Sequence, residues 1–263
     1  MNNKIKKILL KKNKTKIVSL TAYSKSIAKI LDKYCDIILV GDSMANVLYG
    51  LKNTHKITIN NIIQHALSVK MGVKKSLLVV DMPKNSYTNL TKAKKNAKLI
   101  KSVTGCDAVK IESNKKNFKI IEELVKLKIP VMGHIGYTPQ FKKKFKVEGE
   151  TNRDTTKLLN EALMIEKSGA FSIVLECIAP SASRLITSKL KIPTIGIGSS
   201  SYCDGQILVT DDMLGISGFY PKFVKKFANL NRIIDKAVKK YTREVKIKKF
   251  PTTKNFLYGT KFR

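Results

Sequence analysis

Short apolar runs alternating with helical patterns make up most of the chain. Continuous runs rich in β-branched residues occupy Lys16–Thr21, Ile37–Val40, Leu77–Val80, Ala108–Ile111, Pro130–Met132, Ser172–Leu175, Pro193–Ile197 and Ile207–Val209. Continuous rather than alternating runs are what parallel strands buried on both faces require. Between them, apolar residues recur at helical spacing. Ile59, Ile62, Ile63, Ala66 and Leu67 follow an N-capping Thr58, and Leu158, Leu159, Ala162 and Leu163 precede Gly169. Lys92–Val103 carries a weaker stripe under a lysine-rich, solvated face. Strands alternating with helices over about 250 residues predict a single (β/α)8 TIM-type barrel with extra helices. A doubly wound open sheet is the alternative, but no Gly-x-Gly-x-x-Gly follows the first strand.

Three segments stand outside this rhythm. Phe141–Lys157 has little periodicity and reads as a long loop, a candidate lid. Pro221–Val245 reads as a tail of one or two amphipathic helices, and Met1–Lys16 as a short basic segment without the apolar stretch of a signal peptide. No linker or repeat divides the chain, so residues 1–263 are expected to form one barrel domain.

Composition adds a warning. The net charge is +32, which points toward nucleic acid, yet the 51 basic residues comprise 46 Lys and five Arg beside 17 Asn. Groove readers favour the planar fork of Arg. Lys and Asn share AT-rich codons, so genomic drift explains the bias and functional nucleic-acid binding is not expected. Cys35, Cys106, Cys177 and Cys203 have no metal-ligand spacing and fit a reduced, cytoplasmic chain. No window offers the roughly 18 apolar residues of a membrane span.

In a barrel, chemistry lies at the C-terminal strand ends. There the chain has Gly41-Asp42-Ser43, Asp81-Met82-Pro83, Lys110-Ile111-Glu112, Gly133-His134-Ile135-Gly136, Glu176-Cys177 and Gly196-Ile197-Gly198-Ser199. Singly these have plain readings: Asp42 as a turn or cap residue, His134 as a core histidine, Lys110 and Glu112 as an ion pair. An unpaired Glu176 after Ile173-Val174-Leu175 would be costly. Together, Asp42, Asp81 and Glu112 are hard oxygen ligands that suit Mg²⁺. A metal there can chelate a 2-oxo acid and stabilise its enolate, with Lys110 neutralising charge and Glu176 as base.

The blocks LTAYSKSIAKILD, ILVGDSMANVLYG, LLVVDMPKNSY, AVKIE, VMGHIGYTPQ, SGAFSIVLECI, IPTIGIGSSSYCDGQILV and PKFVKKFANL resemble, in order, the ketopantoate hydroxymethyltransferase family over roughly Ile5 to Val245. The resemblance implies transfer of a hydroxymethyl group from 5,10-methylenetetrahydrofolate to 3-methyl-2-oxobutanoate, giving 2-dehydropantoate for pantothenate and coenzyme A. It implies Asp42, Asp81 and Glu112 as metal-site acids, and Asp42, Ser43, Asp81 and Lys110 as substrate contacts. Glu176 matches the proton acceptor, His134 lies nearby, and a homo-oligomer, often a decamer, is expected. Lys56, Lys84-Asn85 and Tyr137 depart from the family pattern, and none of these changes removes a catalytic group. The competing enzyme reading is a 2-oxo acid lyase or mutase of the phosphoenolpyruvate type, with Gly196–Ser201 as a phosphate loop. A basic nucleic-acid-associated protein with a relic barrel is a third reading, and the intact acidic set argues against it.

Overall fold

The computed structural model of the chain describes residues 2–113, 117–142, 144–218 and 220–256. Strands β1 (Ile17–Thr21), β2 (Ile37–Val40), β3 (Leu77–Asp81), β4 (Ala108–Glu112), β5 (Val131–Gly136), β6 (Ser172–Glu176), β7 (Thr194–Ile197) and β8 (Gly205–Leu208) pair in parallel with their neighbours. β8 pairs with β1, so the sheet closes into a barrel and leaves no strand edge. The helices are α1 (Asn3–Leu10), α2 (Lys25–Leu31), α3 (Met44–Val47), α4 (Ile59–Lys70), α5 (Leu90–Thr104), α6 (Phe118–Lys126), α7 (Asn152–Lys167), α8 (Pro180–Lys189), α9 (Thr210–Leu214) and α10 (Leu230–Lys246). The open-sheet alternative is excluded.

Strand alternation sorts the side chains into two cores. Ile38, Val40, Leu78, Val80, Val109, Ile111, Ile173 and Leu175 face outward and pack under the helices. Ile17, Ile37, Leu39, Leu77, Val79, Ala108, Met132, Val174 and Ile195 fill the barrel interior. Following the inward set up each strand leads to Asp81, Lys110, Glu112, His134 and Glu176. The register places Asp81 opposite Lys110, Glu112 opposite His134, and Gly136 opposite Glu176. The apolar interior thus changes to a polar layer at the C-terminal mouth.

The other end is sealed by a helix. The segment expected to be merely basic forms α1, whose Ile5 and Ile8 join the interior cluster with Ile17, Ile37 and Phe171. Asn2 caps it, accepting from the Lys4 amide at 2.9 Å. Ile5 and Ile8 are three apart and share one face, while the intervening lysines point to solvent. α4 begins as expected, with Thr58 and Asn61 forming a reciprocal cap.

Other boundaries shift. β5 runs to Gly136, beyond the expected Met132, so His134 lies on a strand rather than after one. β8 starts at Gly205 rather than Ile207. The aperiodic stretch expected over Phe141–Lys157 ends at Thr151, which caps α7; Lys143 within it lies outside the described residues. The expected helical tail resolves into α10 alone, preceded by non-helical chain from Pro221. None of the residues of α10 is buried, and Ile234, Val238, Tyr241 and Val245 line one exposed face. β2, β3 and β4 are buried throughout, whereas Val18 on β1 is 47% exposed and Gln206 on β8 is also exposed.

Candidate active site

The seven candidate site residues at the strand ends line one cavity of about 850 Å³ at the barrel mouth: Asp42, Ser43, Asp81, Lys110, Glu112, His134 and Glu176. Asp81 is the hinge of the arrangement. Its Oδ1 accepts from Lys110 Nζ at 2.8 Å and its Oδ2 from the Asp42 amide at 2.9 Å. Lys110 therefore pairs with Asp81 across the β3–β4 register rather than with Glu112, correcting the expected ion pair. Burial pulls the Lys110 ammonium toward neutrality, but Asp81, Asp42 and Glu112 outweigh it and hold the group protonated. Ser43 contacts the Tyr23 hydroxyl at 2.9 Å and makes no side-chain cap to α3. Asp42 is not a cap either, because its carboxylate turns inward.

Gln140, which sequence reasoning did not single out, organises the acids. Its Nε2 donates to Asp42 Oδ2 at 2.9 Å and to the Met82 carbonyl at 3.1 Å. Its backbone amide donates to Glu112 Oε2 at 3.0 Å, and Tyr87 donates its hydroxyl to Gln140 Oε1 at 2.6 Å. One buried glutamine thus ties together the ends of β2, β3 and β4, with both polar atoms of its side-chain amide used. The only signal in the sequence was its place in VMGHIGYTPQ; the partners lie up to 98 residues away.

Donors are nevertheless scarce. Burial, then the charge of Asp81, raises Asp42 to about 7. Burial, then Asp42, pushes Glu112 well above the usual carboxylate range, and its Oε1 has no hydrogen-bond partner. Burial raises Glu176 to about 8. His134 Nε2 sits 3.1 Å from Glu176 Oε2, without the angle of a hydrogen bond, and its Nδ1 is 3.7 Å from Glu112 Oε1. Burial and then Lys110 hold this imidazole well below its ordinary value, so it is neutral. Gly136 lets β5 and β6 close here: at φ +92°, its missing Cβ would lie 2.1 Å from the Glu176 carbonyl oxygen.

Three buried acids, Asp42, Asp81 and Glu112, and the half-buried Glu176 stand beside one buried lysine, so negative groups outnumber positive ones at the floor of the cavity. The donors are all hard oxygens, and Glu112 Oε1 is an orphaned acceptor. This set fits a divalent cation such as Mg²⁺. Among the described residues, no three His, Cys, Asp or Glu side chains already converge as a metal cluster. Mg²⁺ commonly takes one or two carboxylates and completes its shell with water and substrate oxygens.

A closed parallel barrel with carboxylates, a lysine and a histidine lining the cavity at its C-terminal mouth has the architecture of a (β/α)8 barrel enzyme. The family model for ketopantoate hydroxymethyltransferase matches residues 2–253, and the chain belongs to that family. It is 51% identical over 255 residues to the 3-methyl-2-oxobutanoate hydroxymethyltransferase of Pelagibacter ubique, covering 97% of this chain and 99% of that one. It is 47% identical over 247 residues to the enzyme of the same name from Anaplasma marginale, covering 93% and 89%. Among solved structures, phosphoenolpyruvate phosphomutase from Streptomyces platensis superposes with a TM-score of 0.64 at 12% identity, covering 92% and 86%. Phosphonopyruvate hydrolase gives 0.64 at 10%, covering 99% and 93%. At that identity the phosphomutase and hydrolase barrels share the fold alone. The chain is a hydroxymethyltransferase by family.

Proposed function

We propose that this chain transfers a hydroxymethyl group from 5,10-methylenetetrahydrofolate to 3-methyl-2-oxobutanoate, forming 2-dehydropantoate in pantothenate biosynthesis. The observation that carries the reading is the Glu176–His134 contact beside Asp42, Asp81 and Glu112 on one cavity. Asp42 and Asp81 would hold a divalent cation, with Glu112 as the third acid of the site. That ion would chelate the ketoacid and draw charge from its keto oxygen as the proton beside it leaves.

The remaining roles belong to the chain itself. Glu176, raised to about 8, takes the C3 proton, because a base of that strength transfers protons efficiently near neutral pH. Neutral His134 lies 3.1 Å from the Glu176 carboxylate, placed to orient it once substrate fills the cavity. Lys110 keeps its proton beside Asp81 and offsets the charge that develops on the substrate. Ser43 offers a hydroxyl to the ketoacid carboxylate from the same wall. Water cleaves the two C–N bonds of the methylene bridge: its oxygen stays on the one-carbon unit as formaldehyde, and its two hydrogens restore the two N–H groups of the departing tetrahydrofolate. C3 then forms the carbon–carbon bond to that carbon, and the alkoxide so formed takes the proton held by Glu176.

A homo-oligomer is part of the same proposal. The exposed apolar face of α10 and the uncovered outer faces of β1 and β8 support it, since soluble monomers seldom leave such surfaces open. The cytoplasm is the proposed compartment. Among the described residues no helix is long and apolar enough to cross a membrane, and all four cysteines are buried free thiols. The activity test incubates the protein with 3-methyl-2-oxobutanoate, methylenetetrahydrofolate and Mg²⁺ and identifies the product by mass spectrometry. Product that appears only with folate present supports the reading. No product, or turnover of phosphoenolpyruvate or isocitrate instead, overturns it.

A further inference from the structure

We propose that the stacked rings of Phe145 and Phe223 are the seat for the pterin ring of the folate donor, an inference that rests on the folate-dependent transfer proposed above. The cavity is divided by chemistry. Its floor holds the carboxylates, Lys110, His134 and Glu176, and a five-carbon ketoacid bound there leaves most of the 850 Å³ unfilled. Its outer wall is aromatic. The Phe145 and Phe223 rings stack at 6.4 Å with 20° between their planes, and Tyr137 meets Phe145 edge-on at 5.2 Å.

This wall is held from behind rather than hanging in solvent. Gly198, at φ +57°, has no Cβ, and one there would lie 2.8 Å from Phe223 Cδ1. That glycine lets the Phe223 ring lie against the end of β7. The Phe145 segment is pinned just beyond the ring. The Glu148 amide donates to the Cys177 carbonyl at 2.9 Å, and the Ala179 amide donates to the Glu148 carbonyl at 2.8 Å. Phe145 nevertheless remains 55% exposed, an unfilled apolar surface on the cavity that contains the base.

A reduced pterin keeps a planar, conjugated pyrimidine half, which prefers an aromatic face to water. Stacking of such heterocycles is sequence-tolerant and does not need a matched set of donors. Seated on this wall, the donor would present its methylene carbon toward the floor, where the ketoacid loses its proton. The wall therefore selects the donor, and the floor selects and activates the acceptor.

The test uses Phe145→Leu and Phe223→Leu, which keep apolar bulk but remove the π face, and Phe223→Tyr, which restores it. Binding of 5-formyltetrahydrofolate is measured by calorimetry, together with the KM for methylenetetrahydrofolate. In each leucine variant both are expected to weaken by ~10-fold or more. Phe223→Tyr is expected to stay within about twofold of the parent, well inside that stacking effect. Mg²⁺-dependent binding of 3-methyl-2-oxobutanoate and folate-free exchange of its C3 hydrogen stay at parental values. Unchanged folate affinity in the leucine variants of a folate-using parent overturns the wall alone. Equal loss of ketoacid binding makes the rings structural and also overturns it. A parent that neither binds 5-formyltetrahydrofolate nor uses the donor removes the functional reading and the wall with it.

Discussion

Buried acids occur at both ends of this barrel and live under opposite conditions. At the closed, N-terminal end, Asp32 accepts from the backbone amides of Lys74, Lys75 and Ser76. Burial alone would raise its pKa, but these donors outweigh it and hold the carboxyl below its ordinary value. Asp204 accepts from Lys12 Nζ at 2.8 Å, the Asn13 amide at 3.0 Å and the Thr194 amide at 2.8 Å. At the open end, Asp42 and Glu112 are buried and Glu176 is half-buried, with too few donors, and all three are raised. One residue class does two jobs, and the supply of donors decides which. Satisfied acids lock the chain, whereas undersupplied ones await a cation, a substrate or a proton.

That contrast is easiest to break by mutation. Asp204→Ala should be the most damaging to folding, by roughly 3–5 kcal/mol, because it strands the partly buried Lys12. Calorimetric unfolding measures it, and Mg²⁺ affinity in the surviving folded protein should be unchanged. Asp42→Asn should do the reverse. An amide loses the charge that Mg²⁺ requires, so metal affinity should fall by more than ~100-fold, beyond the range typical of an outer-shell partner. The metal-free variant should be as stable as the parent at pH 8 or more so, because a poorly solvated charge has gone. A variant that loses stability and keeps its metal would show that Asp42 is structural.

Gln140→Leu sharpens the comparison by removing the few donors the mouth acids have. Metal affinity by titration should fall by ~10-fold or more, as for other residues that orient a ligand. Tyr87→Phe should act in the same direction and more weakly, since it frees the amide without deleting it.

The sequence carried the strand ends because alternation leaves no choice about which residues face inward. Once Val79 and Val174 are interior, Asp81 and Glu176 must be. His134 was legible as a residue, but its strand was cut short because Gly133 and Gly136 interrupt the apolar run. Gln140 was not legible, since its function lies in contacts to chain far away in sequence. α1 was obscured by composition: Ile5, Ile8 and Leu9 are spaced for a helix but stand among lysines. The contrast between satisfied and undersupplied acids was also invisible. Asp204 and Asp42 each sit beside a glycine in a short polar stretch and look alike until their partners are placed.

A further effect follows from pH. Asp42 and Glu176 are raised from ordinary values of 3.8 and 4.5 to about 7 and about 8, so the folded state holds more protons than the unfolded chain in between. Their contribution to metal-free stability is therefore present near pH 4 and lost as pH rises through about 7 and about 8. Thermal unfolding from pH 5 to 8 should show the decline, and saturating Mg²⁺ should flatten it. A metal-free protein that gains stability over that range would contradict the undersupply at the mouth.

The central claim is that Glu176 is the base. Glu176→Gln keeps the size of the side chain but cannot accept the C3 proton. The most direct measurement is hydrogen exchange at C3 of 3-methyl-2-oxobutanoate in deuterated water with Mg²⁺ and no folate, followed by NMR. The parent should exchange, and the variant should bind Mg²⁺ and ketoacid as the parent does while exchanging ~10²–10⁴-fold more slowly. Parental exchange in the variant would contradict the assignment and move the base to His134. Loss of ketoacid binding would make Glu176 a structural residue.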